Sequence, residues 1–145
     1  MKQKEIVDTT ANAGKKNDAG KPAFHKISPK FLYSLAEALQ KHAGTSEEEL
    51  IRLDLLPIEP LIELAKLYGI GALKYESDNW RRGLLFTRMY RSMMSHAIKW
   101  YMRMDAHDRD SLDGQHHLDS VAWYALGLRE FHETHPELDD RPSLD

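Results

Sequence analysis

Residues 87–104, TRMYRSMMSHAIKWYMRM, set Tyr90, Met93, Met94, Ala97, Trp100, Tyr101 and Met104 three or four positions apart. That spacing is one stripe of an α-helix, whose side chains return to the same face every 3.6 residues. Thr87 is placed to cap the start of this helix. Downstream, a polar connector from Asp105 to Gln115 leads to a second periodic stretch, about 116–133, with Leu118, Val121, Ala122, Ala125, Leu126 and Leu128 as its expected buried stripe.

The upstream segments read the same way. From Pro57, the residues Ile58, Leu61, Ile62, Ala65, Leu67 and Tyr68 form a third stripe, which Gly69 and Gly71 interrupt. Glycine costs a helix interior up to about 1 kcal/mol against alanine, so two within one turn indicate close helix approach or room for a ligand. Residues 77–83 read as a loop. Ser28 and Pro29 open a helix over 29–42, with Gly44 as its stop, and Thr45 to Glu48 has the pattern of a capping box opening a short helix toward Leu53. No alternating strand pattern competes. The fold class is all-α: a helical bundle of four to five helices, with flexible arms at 1–15 and, in the proline-containing acidic tail, at 136–145.

Composition narrows the function. The 145 residues are 41% hydrophobic, enough for one packed domain, and they contain no cysteine, so disulfides, thiolate metal sites and thiol nucleophiles are excluded. No run approaches the roughly 18 apolar residues of a membrane helix, and the start lacks a signal-peptide pattern, so a cytoplasmic protein is expected, with no membrane partner. The formal charge of −3 disfavours stable nucleic-acid binding. The charge is unevenly spread: residues 1–30 hold seven lysines against three acids, and residues 130–145 hold six acids against one arginine. A basic arm of this kind suits a phosphate ligand.

Helical bundles collect metals between facing helices from inward carboxylates and histidines. Glu59 and Glu63 lie four apart on one face, a spacing common on solvated helices and also compatible with a shared hard cation. His96 lies inside one apolar stripe and His117 one turn before Val121. A buried histidine needs a partner for its ring nitrogens, and two of them, joined by a connector holding Asp105, Asp108, Asp110 and Asp113, make a site more plausible than one alone. Lys16, Asp18, Gly20, Lys21 and Pro22 spell K-x-D-x-G-K-P, which lacks the P-loop spacing and reads physically as a turn with two lysines. Lys74, Arg81, Arg82 and Arg88 surround Trp80, a combination able to hold a nucleotide by charge and stacking, or to form a protein interface.

Together with G-A-x-K-Y at 71–75, N-W-x-x-G at 79–83 and D-x-x-x-G-x-x-H from Asp110 to His117, the 16–22 element resembles the phage and bacterial dATP/dGTP diphosphohydrolase domain. That domain is similar to the all-α MazG-class nucleoside triphosphate pyrophosphohydrolases. On this reading a single domain covers 16–135, with an insertion at 24–55. The resemblance implies hydrolysis of dATP or dGTP to the monophosphate and pyrophosphate with Mg²⁺ or Mn²⁺, by a homo-oligomer, in the nucleotide-pool metabolism of a phage. For such a reaction, which needs a metal ion and an activated water, Glu63, Asp110 and His117 are the expected metal or water-activating set, with His96 supporting them or taking part directly. Lys16, Asp18, Lys21, Lys74, Asn79, Trp80 and Arg88 are the expected substrate contacts. The chain departs from the MazG pattern in lacking E-x-x-E followed by E-x-x-D. An HD-type metal phosphohydrolase centred on His107 and Asp108, and a non-catalytic module binding a nucleotide or a host protein, are the alternatives.

Overall fold

The computed structural model describes residues 27–144. Its chain divides into two compact units, one ending at Arg52 and the other running from Leu53. The expected N-terminal arm and the 16–22 element lie outside the described residues.

In the first unit, helix α1 spans Pro29–Gln40. It begins where the sequence places it, because the Ser28 hydroxyl accepts the Phe31 N–H at 3.0 Å and proline fills the first helical position. Gly44 comes after it in the left-handed region, φ 73°. The Glu48 carboxylate accepts the Gly44 N–H at 2.7 Å, and in place of the expected short helix the chain makes a single 3-10 turn, Glu48–Leu50.

The second unit is built on α2 (Ile58–Lys74), α3 (Phe86–Tyr101) and α4 (His117–Thr134). Helix α4 packs against both α2 and α3. No β-strand occurs among the described residues, and none of their helices is long and apolar enough to cross a membrane. Helix α2 runs unbroken through its glycines. A Cβ added at Gly69 or Gly71 would meet nothing within 4 Å, so close approach of a neighbour is not what these glycines serve. Close approach occurs instead at Gly127 of α4, where a Cβ would stand 2.8 Å from the end of Met89 in α3.

Helix α4 buries a different stripe from the one expected. Leu118 and Leu126 are 41% and 51% exposed, while His117, Ser120, Gly127 and Phe131 are buried. Small and polar residues at three of these four positions let the helices close up, and an apolar count along the sequence passes over them. The core is Phe86, Met89 and Phe131, with Trp80, Leu84 and Leu138 packed around it.

Thr87 does not cap α3 either, because Leu85 holds that position and Thr87 lies within the first turn. The cap comes from far along the chain: the Asp140 carboxylate accepts the Thr87 N–H at 2.8 Å and its hydroxyl at 2.6 Å. The segment expected as a free acidic arm is therefore docked at Asp140, after a 3-10 turn at Pro136–Leu138 that seats Leu138 on the core.

Candidate active site

His96 projects from α3 and His117 opens α4, and the two rings meet with their Nδ1 atoms 3.0 Å apart. His117 is fully buried. Its Nε2 lies 3.0 Å from a carboxylate oxygen of Asp105, which can only accept, so Nε2 carries the hydrogen and Nδ1 presents its lone pair toward His96. Two imidazole lone pairs cannot face each other at this distance without a proton or a cation between them. In the metal-free protein the His96 Nδ1–H supplies it.

Asp110 completes the group. One ligand-capable atom each from His96, Asp110 and His117 lies within 4.8 Å of the others. The connector that the sequence shows only as polar is folded to deliver this carboxylate. Asp110 donates its N–H to the Gln115 carbonyl and accepts the Gly114 N–H on its own carbonyl, both at 2.8 Å, while its side chain accepts the Leu112 N–H at 2.9 Å. The second carboxylate oxygen accepts from Lys99 at 3.1 Å. The Leu112 N–H, with the Lys99 ammonium, holds the Asp110 carboxyl below its ordinary value although burial opposes this. Burial pushes His96 down, and the His117 ring beside it pushes it further, so His96 is neutral at pH 7.

These groups fit a divalent ion. Two donors bound at about 2.1 Å to one ion at right angles stand about 3.0 Å apart, which is the separation of the two Nδ1 atoms. His117 is oriented by Asp105 through its other nitrogen, the arrangement that usually supports a histidine on a metal. Two imidazoles and a carboxylate favour Mn²⁺ over Mg²⁺, which prefers oxygen.

His96 also lines a cleft of about 580 Å³. The walls come from the second half of α2, the turn after it, α3 and α4, and include Gly71, Lys74, Asn79, Trp80, Arg88 and Trp123. Gly71 thus opens space on the cleft side, the second of the two roles its position allows. Of the cations on the cleft wall, Arg82 is paired with Glu76 at 2.9 Å, whereas Lys74 and Arg88 form no ion pair among the described residues. Trp80 is held by the edge of Tyr68 at 5.5 Å, by Phe131 at 6.3 Å and by the Arg81 guanidinium at 4.4 Å, so it is a fixed wall of the cleft as much as a free stacking surface. Arg81, itself tied to Asp78 and Glu130, is spent on this support.

A family model described as dATP/dGTP diphosphohydrolase, N-terminal, matches residues 40–141, well over half of the sequence. The chain belongs to this family. The span matched by the dATP/dGTP diphosphohydrolase model contains the His96, Asp110 and His117 group and the whole cleft, and the 16–22 element precedes it. No curated protein and no solved structure matches the chain.

The structure thus gathers His96, Asp110 and His117, and places Lys74, Asn79, Trp80 and Arg88 on one cleft. Lys16, Asp18 and Lys21 lie outside the described residues. Glu63 is not brought in: its half-exposed carboxylate pairs with Lys66 at 2.5 Å, and it neither lines the cleft nor joins the ligand group. Its spacing from Glu59 is that of a solvated helix face. His107 and Asp108 sit on a turn with φ of 57° at both and belong to no metal-ligating group among the described residues. Sequence reasoning does not single out Asp105 or Lys99 as site residues. Lys99 carries a readable signal, since it stands three positions after His96 on α3. Asp105 is legible only as one of four connector acids, because a connector has no periodicity to set one apart.

Proposed function

We propose that this protein hydrolyses a purine deoxynucleoside triphosphate, dATP or dGTP, to the monophosphate and pyrophosphate with Mn²⁺ or Mg²⁺. The observation that carries the reading is the His96, Asp110 and His117 group set at the edge of a cleft that also holds two cations with no ion pair among the described residues. The family supports the substrate, and the site chemistry supports the reaction class.

The overall step is attack of water on the α-phosphorus and cleavage of its bond to the bridging oxygen, so that pyrophosphate leaves with the electron pair. His96, Asp110 and His117 would hold the ion, which supplies charge neutralisation and a more acidic water when bound. The rest is positioning and charge, which dominate phosphoryl transfer. Lys74 and Arg88 meet the phosphates, Arg88 offering a planar fork for two oxygens. Asn79 and the braced Trp80 shape the place of the base, Lys21 is read as a further phosphate contact, and Lys16 and Asp18 as further substrate contacts.

Product analysis tests this: the full chain is incubated with a panel of nucleoside and deoxynucleoside triphosphates, with Mn²⁺, with Mg²⁺ and with chelator. Monophosphate and pyrophosphate appearing only with metal is the expected result. Inorganic triphosphate or single phosphate as product would favour the HD-type chemistry, and nucleotide-dependent thermal stabilisation without turnover would favour a binding module. We further read the protein as a homo-oligomer, supported by exposed Leu61, Ile62, Ile70 and Leu73 along α2. A sedimentation experiment returning the monomer mass would overturn that part.

A further inference from the structure

Asp110 is 7% exposed, and among the described residues Lys99 is the cation that pairs with it. A buried carboxylate left without a counter-charge is strongly unfavourable. The Lys99 ammonium supplies that charge at 3.1 Å, and it also stands 3.9 Å from the same Asp105 oxygen that receives the His117 ring hydrogen. One lysine therefore neutralises both carboxylates of the site. It reaches them from the last turn of α3, the turn after the one that carries His96.

A divalent ion bound to Asp110 would put two like charges on one buried carboxylate, where solvent does little to screen them. The lysine side chain is 32% exposed, and its four-carbon stem is flexible, so it has an open path away from the site. We propose that Lys99 is the resident counter-ion of the metal-free site, and that a divalent ion binds at His96, Asp110 and His117 by displacing the Lys99 ammonium from Asp110. The proposal rests on the reading of this group as a metal centre. Lys99 then has two opposed effects: it keeps the metal-free site folded, and it weakens metal binding. It is a positioning residue, acting through Asp110 and Asp105, and it sets the metal concentration at which the site loads.

Mn²⁺ titration calorimetry on the full-length protein compares wild type with Lys99→Met, which keeps the length of the side chain and removes its charge, and with Lys99→Arg. Lys99→Met is expected to bind Mn²⁺ at least about tenfold tighter, and to melt at a lower temperature than wild type in chelator, with the difference shrinking in saturating Mn²⁺. Lys99→Arg, whose charge is harder to displace, should bind no tighter than wild type. Mn²⁺ binding of equal or lower strength in Lys99→Met would overturn the proposal and leave the metal reading standing. Binding by neither protein would overturn both. Binding by Lys99→Met alone would uphold the displaced-lysine account and sink metal-dependent function in the wild type. If Lys99→Met fails to fold without metal, acetylation of Lys99 in wild type, read by mass spectrometry, gives the answer: it should quicken on adding Mn²⁺, and an unchanged rate would overturn the proposal.

Discussion

His96 and Asp110 make the stability of the metal-free protein depend on pH. Unfolded, His96 takes a proton as pH falls through about 6.5; folded, burial and the His117 ring delay that uptake to lower pH. Between the two values the unfolded chain binds more protons, so stability drops as pH is lowered through this window and is unaffected above it. Asp110 adds a loss at more acid pH: its contribution, made through the Leu112 N–H and Lys99, is complete above the ordinary carboxylate value and is lost as pH falls from there through the lower value of the folded protein. Urea midpoints in chelator from pH 7.5 down to about 2 should show both phases, and His96→Gln should flatten the first while leaving the second. His117 is the more costly position. His117→Ala empties a fully buried site and strips Asp105 and His96 of their shared partner, so a loss of about 2–4 kcal/mol in urea unfolding is expected, together with loss of Mn²⁺ binding.

The helices differ in how much their glycines can change. Gly69 of α2 faces open space, so Gly69→Ala should raise stability by about 0.5–1 kcal/mol through the lost backbone freedom of the unfolded chain. Gly127 is closed in by the end of the fully buried Met89 side chain, and Gly127→Val should cost about 1–3 kcal/mol by driving that side chain out of its packed position. Thermal melts of the two variants should move in opposite directions. Helix α3 depends for its first turn on Asp140, whose carboxyl the Thr87 hydroxyl and N–H hold below its ordinary value. Asp140→Ala should lower the melting temperature by a few degrees, and that difference from wild type should shrink as pH falls below the ordinary carboxylate value and through the lower value of the folded protein, where protonation weakens the same contact in the parent.

Across the second unit, the cleft presents Lys74 and Arg88 without an ion pair among the described residues, while Arg81 and Arg82 are committed to acids. A guanidinium held in this way beside a cleft matters to a polyphosphate more than to folding. Arg88→Ala should therefore raise KM for the triphosphate about tenfold or more with little change in melting temperature, and raised salt should weaken wild-type substrate use more than that of the variant. Steady-state kinetics at two ionic strengths check both statements.

Helix positions, the Ser28 cap and the all-α class are legible in the sequence because they depend on short-range periodicity and on residues within one turn of each other. His96 and His117 are legible as suspects for a related reason, since imidazoles beside apolar stripes need partners, whereas Asp110 stands out from the other connector acids only through the D-x-x-x-G-x-x-H resemblance. Beyond reading lies everything that depends on separations of many residues. Glu63 looks like a ligand by spacing and instead pairs with Lys66 outside the ligand group, since spacing along one helix says nothing about which face a second helix covers. The buried stripe of α4 escapes because Gly127 lies against Met89 of α3 and Ser120 lines the cleft, and neither small residue leaves an apolar signature. The capping of α3 by Asp140, the orienting of His117 by Asp105 and the pairing of Lys99 with Asp110 are each contacts made only once the chain has closed on itself. Local patterns choose the helices; packing chooses which of their polar side chains meet.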